Sequence, residues 1–184
     1  MRMSASKGNT LIIIENGQIS IVRLDDRTEW TIGRENPQNM PDIILHTPTV
    51  SRNHGYFMNR SGHWVYYDKY GKNGTVYNKE HLKPGIGGKA KFRMLEDGDV
   101  FIFGGLDEKA LPSKTVWAIF SEYFYGDKWS SVDTKDLGII TLSDGKSTRK
   151  MEWPQIGDVL RMDDGIAIYM GDTTYLAGEI RLIR

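Results

Sequence analysis

Short apolar and β-branched runs alternate with glycine, asparagine and aspartate along most of this chain. Thr10–Glu15 (TLIIIE) and Gln18–Leu24 (QISIVRL) flank Asn16-Gly17, a pair that favours a two-residue hairpin turn. Glu29–Gly33 (EWTIG) predicts a further strand and Asp42–Leu45 (DIIL) a short buried one. His54–Asn59 (HGYFMN) and His63–Asp68 (HWVYYD) carry aromatics at alternating positions around Arg60-Ser61-Gly62, which predicts a second hairpin. Gly74–Asn78, Lys89–Met94, Asp99–Gly105 and Thr115–Phe124 continue the series, and no helix of ten or more residues is predicted. Strands at this spacing, with such turns, predict an all-β antiparallel sandwich.

The pattern weakens over Tyr125–Asp136 (YGDKWSSVDTKD). Beyond it, Leu137–Gly145, Asp158–Gly171 and Thr173–Arg184 predict strands again, with turns at Asp144-Gly145 and Asp164-Gly165. The expected organisation is a flexible segment at 1–9, a principal domain at 10–121, a junction at 122–136 and a smaller β-rich extension at 137–184. A tail of that size is small for an independent fold.

Charge refines this division slightly. The 184 residues carry no net charge, but residues 1–120 hold 16 Lys and Arg against 13 Asp and Glu, and residues 121–184 hold 8 against 11. No global field draws the chain to nucleic acid or to an anionic membrane, and no basic stripe interleaved with exposed aromatics stands out. The absence of cysteine excludes disulfides, zinc ribbons and thiol chemistry. No run approaches the roughly 20 apolar residues of a membrane span, and the N-terminal decapeptide lacks the apolar core of a signal peptide. A cytoplasmic protein is therefore expected, and the glycosylation-like tripeptides at Asn59 and Asn73 are discounted.

Three separated pieces carry the chemistry. Gly33-Arg34 ends a strand, Ser51-Arg52-Asn53-His54 lies at a loop-to-strand boundary, and Asn73-Gly74-Thr75 opens a later strand. Gly-Arg, Ser-x-x-His and Asn-Gly-Thr in this order, with Gly98-Asp99 trailing, resemble the forkhead-associated (FHA) domain over roughly residues 10–121. The ligand this resemblance implies, a phosphothreonine, presents about −1.5 to −2 charges and three acceptor oxygens near neutral pH. A planar guanidinium fork, a hydroxyl and loops held by a rigid sandwich suit that group.

The resemblance implies an FHA-type sandwich that binds phosphothreonine peptides, with no enzymatic activity, metal or cofactor, acting downstream of a serine/threonine kinase. It implies that Arg34 and Ser51 grip the phosphate, that Arg52 and Lys72 add contacts, and that Asn73 holds the peptide main chain. Thr49 would meet the residue three after the phosphothreonine. Gly33, His54, Gly74 and Thr75 would support the site, His54 from beneath. One departure is visible: the family's D-x-G-S-x-N becomes Asp68-Lys-Tyr-Gly71-Lys-Asn73, with Gly71 in place of serine.

Other readings are weaker. Ser51 and His54 lack the elbow and the acidic partner of a hydrolase. Pro84–Ala90 lacks the first glycine of a phosphate loop, and Ala90 stands where the magnesium-binding hydroxyl would be. The four histidines have no metal spacing. In the tail, Gly157-Asp158 before an apolar run echoes Gly98-Asp99, so a partial or degenerate second FHA-like module is one reading and a self-association surface another. The alternative function is a phosphate-independent assembly scaffold, such as the cytosolic FHA region of a type VII secretion ATPase. The compact layout suits a bacterial protein.

Overall fold

The computed structural model describes residues 5–89, 91–105 and 112–184. Among them the backbone is 53% strand and 3% helix, the helix being the 3-10 turns Leu24–Asp26 and Ile86–Gly88. The chain divides into two compact units, residues 8–122 and residues 123–184 with 1–7.

The first unit contains β1 (Ser6–Glu15), β2 (Gln18–Arg23), β3 (Glu29–Arg34), β4 (Ile43–Leu45), β5 (Gly55–Arg60), β6 (His63–Asp68), β7 (Thr75–Tyr77), β8 (Glu80–His81), β9 (Phe92–Met94), β10 (Val100–Phe103) and β11 (Val116–Phe124). One sheet runs β2-β1-β11-β10-β7-β8 and the other β4-β3-β5-β6-β9. β3 pairs with β4 in parallel, Ile32 facing Ile43, whereas β1–β2, β3–β5, β5–β6, β6–β9, β7–β8, β7–β10 and β10–β11 are antiparallel. Alternate residues close the core between the sheets, among them Leu11 and Ile13, Trp64 and Tyr66, Phe101 and Phe103, and Val116, Ala118 and Phe120. Aromatic rings dominate its centre: Phe57, Tyr66, Phe101 and Phe103 meet at centroid distances of 4.9 to 5.9 Å. This is the all-β sandwich that the strand pattern predicts.

Turn chemistry matches backbone need at both predicted hairpins. Asn16 and Gly17 stand at φ 51° and 74°, and Ser61 and Gly62 at 53° and 87°. These are the left-handed pairs that follow the strand twist.

The second unit contains β12 (Trp129–Asp133), β13 (Ile139–Ser143), β14 (Thr148–Glu152), β15 (Val159–Met162), β16 (Gly165–Tyr169), β17 (Thr173–Gly178) and β18 (Arg181–Ile183). A four-stranded sheet, β12-β17-β16-β15, and a three-stranded sheet, β14-β13-β18, enclose Ile140, Leu142, Met151, Met162, Ala167, Leu176 and Ile180.

Several boundaries differ from the sequence expectation. β1 starts at Ser6, inside the expected flexible segment, whose residues 1–4 lie outside the described residues, as does Ala90. The expected junction holds β12, because Trp129 and Val132 gain cross-strand partners on β17 that no local pattern announces. The β15–β16 hairpin turns through Asp163 and Asp164, with Gly165 already paired to Met162. Gly165 is needed instead for packing: a Cβ there would overlap the Ala177 carbonyl oxygen and stand 2.8 Å from Ile180 Cγ1.

Candidate functional site

The loop Thr49–Arg52 is fastened from both sides. From β3, the Arg34 amide donates to the Ser51 carbonyl (3.0 Å), and Arg34 Nε donates to the Val50 carbonyl (3.1 Å). From the loop before β7, Asn73 Nδ2 donates to the Thr49 carbonyl (2.9 Å). Arg34 and Asn73, far apart in sequence, thus clamp one four-residue segment. With Nε engaged, the Nη groups of Arg34 make no hydrogen bond to the chain among the described residues and remain the open half of the fork.

Gly33 makes this approach feasible. A Cβ on it would overlap the Arg52 carbonyl oxygen and lie 2.8 Å from the Arg52 carbonyl carbon, both backbone atoms that cannot swing aside. Gly74, at φ 73°, supplies a left-handed step directly after Asn73, and its amide closes a turn onto the Gly71 carbonyl (3.0 Å).

Beneath the loop lies a buried polar relay. The Ser51 amide donates to His54 Nδ1 (3.1 Å), which leaves Nε2 as the protonated nitrogen, and Nε2 donates to Thr75 Oγ1 (2.7 Å). Thr75 donates to Asp68 Oδ1 (2.6 Å), Tyr66 Oη donates to the same oxygen (2.8 Å), and the Tyr70 amide donates to Asp68 Oδ2 (3.0 Å). His54 and Thr75 are fully buried and Asp68 nearly so, so each link carries a cost if broken. Burial pushes the His54 imidazole below its ordinary value, and the Asp68 charge only partly opposes this. The neutral ring that the hydrogen bonds require is therefore the stable one. Burial, then Asp68, raises the Tyr66 phenol well above its usual range, which keeps it a donor.

The sequence-predicted residues occupy distinct places. Arg34, Ser51, Thr49 and Asn73 come together around the loop and are partly buried. Thr49 Oγ1 donates to the Lys114 carbonyl (3.0 Å), so its hydroxyl is already engaged in bracing. Arg52 and Lys72 are exposed, and neither makes a hydrogen bond or ion pair among the described residues. His54, Gly33, Gly74 and Thr75 all act in support. Gly71 has a direct steric meaning: a Cβ there would overlap Ser51 Oγ and lie 2.8 Å from Ser51 Cβ. Tyr70, the residue before it, adopts φ 54°, a left-handed conformation unusual for a bulky residue.

Two contributors escaped the sequence reading. Asp68 is the hub of the relay, and its only local signal was its place five residues before Asn73. Glu15, at the end of β1, accepts the His46 amide (2.8 Å), the Thr47 amide (2.9 Å) and Thr47 Oγ1 (2.7 Å), so it anchors the chain leading into Thr49. No sequence spacing links Glu15 to that loop.

No helix among the described residues is long and apolar enough to cross a membrane, and no group of three or more metal-binding side chains occurs among them. The family model of the FHA domain matches residues 30–104, the segment that holds the Arg34, Ser51 and Asn73 pieces, and this segment is a forkhead-associated domain. A search of curated protein sequences finds no match. Among solved structures, full-length yeast Pml1p is similar at 23% identity, over 62% of this chain and 81% of that one, with a TM-score of 0.49. The FHA domain of CT664 from Chlamydia trachomatis is similar at 17% identity, over 64% and 99%, with a TM-score of 0.47. The FhaA FHA domain, solved with the intracellular domain of Rv3910, is similar at 21% identity, over 61% and 98%, with a TM-score of 0.42.

Proposed function

We propose that the FHA domain of this chain is a receptor for phosphothreonine on an extended peptide, with the phosphate added by a serine/threonine kinase. The observation that carries the reading is the double clamp of Thr49–Arg52 by Arg34 and Asn73, which leaves the Arg34 fork and the Ser51 hydroxyl together at a braced loop. The Nη groups of Arg34 supply a bidentate pair for phosphate oxygens, and Ser51 Oγ supplies a short donor. Arg52 and Lys72 add positive charge at the exposed side. The Asn73 carbonyl oxygen, left over when Nδ2 bonds Thr49, accepts a main-chain amide of the peptide. The domain acts by capture, as an adaptor, and performs no chemistry on its ligand.

The test is a degenerate phosphothreonine-peptide library bound to the wild-type chain and to Arg34→Ala. Charge-assisted hydrogen bonds of about 1.5–3 kcal/mol at this arginine correspond to a weakening of about tenfold to over a hundredfold. Equal affinity for a phosphopeptide and its unphosphorylated twin would refute the receptor reading. The separate core of residues 123–184 favours one rival, a phosphate-independent scaffold. That rival predicts partner capture that survives Arg34→Ala and is lost on changes within 123–184.

A further inference from the structure

Positive charge is concentrated in one stretch of this neutral chain. Residues 69–95 hold seven Lys and Arg side chains and a single carboxylate, Glu80. Part of that charge is already engaged: Arg93 pairs with Glu80 (3.0 Å), and the Lys69 ammonium lies 5.0 Å from the centre of the Tyr56 ring. Lys72, Lys83, Lys89 and Lys91 are exposed and make no ion pair among the described residues.

The loop that bears three of these lysines has a defined form and place. The Gly85 amide donates to the Lys89 carbonyl (2.7 Å) and the Gly88 amide to the Gly85 carbonyl (3.1 Å), closing a tight turn. Gly87 and Gly88 take φ 70° and 74°, which a closed turn of this kind needs. A Cβ on Gly85 would stand 3.2 Å from Lys91 Cγ and Cε, so the Lys91 stem packs across the turn. The Lys91 amide then donates to Tyr70 Oη (3.1 Å), which ties the loop to the residue next to Gly71 and Lys72. Through Gly71 the same segment abuts Ser51. Lys91 is thereby tied to the segment that abuts the Ser51 loop, with Lys83 and Lys89 carried on the same turn.

We propose that these lysines form an extension of the receptor that binds an acidic tract flanking the phosphothreonine, so that the preferred partner is a phosphothreonine segment rich in Asp, Glu or further phosphates. The inference rests on the receptor reading above and adds the class of peptide. Like-charged side chains held together without counter-ions repel one another, and a polyanion removes that repulsion as it binds. An anionic bilayer is the competing occupant, because Ile86 at the tip is 96% exposed between lysines. A lone apolar side chain is a weak anchor for a bilayer, whereas the tie to Tyr70 positions the charge at the peptide site.

The experiment uses the full chain and four labelled peptides: phosphothreonine in a neutral Gly/Ser/Ala context, the same with Asp/Glu before it, the same with Asp/Glu after it, and an unphosphorylated acidic control. Binding is measured to wild type, to Lys83→Gln/Lys89→Gln/Lys91→Gln and to Arg34→Ala, at about 50 and 200 mM salt, with phosphatidylserine-containing vesicles in parallel. Wild type should bind one acidic phosphopeptide about tenfold tighter than the neutral one, with the advantage shrinking at the higher salt. The triple variant should lose that advantage while its affinity for the neutral phosphopeptide is unchanged, and Arg34→Ala should weaken both. Binding of the neutral phosphopeptide with no gain from either acidic flank overturns this inference and leaves the receptor reading standing. Lysine-dependent vesicle binding without an acidic-peptide preference overturns it in favour of a membrane. No binding of any phosphopeptide overturns both readings.

Discussion

In residues 8–122, His54, Thr75 and Asp68 are buried and joined in a hydrogen-bonded chain that ends on the amide of Ser51. In residues 123–184 the buried polar side chains either close a local turn or tie one connecting segment to another. Thr134 Oγ1 donates to the Gly171 carbonyl (2.7 Å) and meets Thr174 Oγ1 (3.0 Å), while Asp144 Oδ1 accepts the Lys146 and Ser147 amides (2.9 Å each). Both units use the same alternation of inward apolar side chains. What separates them is the destination of their internal polarity. A polar network within a core costs stability unless every member is satisfied, so one aimed at a surface loop marks the place where loop geometry matters. The second unit shows no such convergence among its described residues, which is why the receptor is proposed for the first.

The comparison can be broken most severely at Gly33. Gly33→Ala forces a Cβ into the Arg52 carbonyl, so the Ser51 loop must shift, and phosphopeptide affinity should fall over a hundredfold by titration calorimetry. Retained binding would show that the close approach of β3 to the loop is dispensable. Next comes Asp68→Ala, which strands the Tyr66 and Thr75 hydroxyls. It should cost about 2–4 kcal/mol in urea unfolding and weaken peptide binding as the loop loosens.

Thr134→Val is the matching change in the other unit. It removes a buried donor and should cost about 1–2 kcal/mol, with phosphopeptide affinity unchanged within twofold. A binding loss as large as that of Asp68→Ala would erase the distinction between the units.

The smallest effect is that of pH. His54 is held neutral with its native value lowered, so the unfolded chain takes up this proton first as acid is added. Its contribution is complete above the ordinary histidine value of about 6.5 and is lost as pH falls below it, levelling off once the native ring also titrates. Unfolding free energies from urea titrations at pH 7.5 and 5.5 should differ through this group by at most about 1.4 kcal/mol, and His54→Gln should remove this component.

Much of this could be seen in the chain itself, for identifiable reasons. The Asn16-Gly17 and Ser61-Gly62 turns and the strands beside them are local events, carried by residues that tolerate φ above zero and by alternating aromatics. Arg34, Ser51 and Asn73, which meet at one loop, stand out in the sequence because they match a family pattern in order. What escaped was non-local or polar. β14 buries only Met151 of its five residues, so TRKME carries no strand signature, and it forms because β13 offers an edge. The parallel β3–β4 pairing and the Glu15 anchor depend on contacts that no short window contains. The lysine-rich stretch is diluted in the charge balance of residues 1–120, and its tie to the segment of Tyr70 and Gly71 rests on the non-local Lys91–Tyr70 bond.

Gly71 and Ser51 share one volume: the space a side chain at 71 would fill is taken by the Ser51 side chain. A side chain at 71 is therefore accommodated only if the Ser51 side chain shifts from its present position. Moving the hydroxyl across, by Gly71→Ser together with Ser51→Gly, would present it to the proposed ligand from the segment that carries Lys72 and not from the loop held by Arg34. The site could then be re-aimed with its complement of groups unchanged, making residue 71 a tuning position whose effect is legible only when residue 51 changes with it.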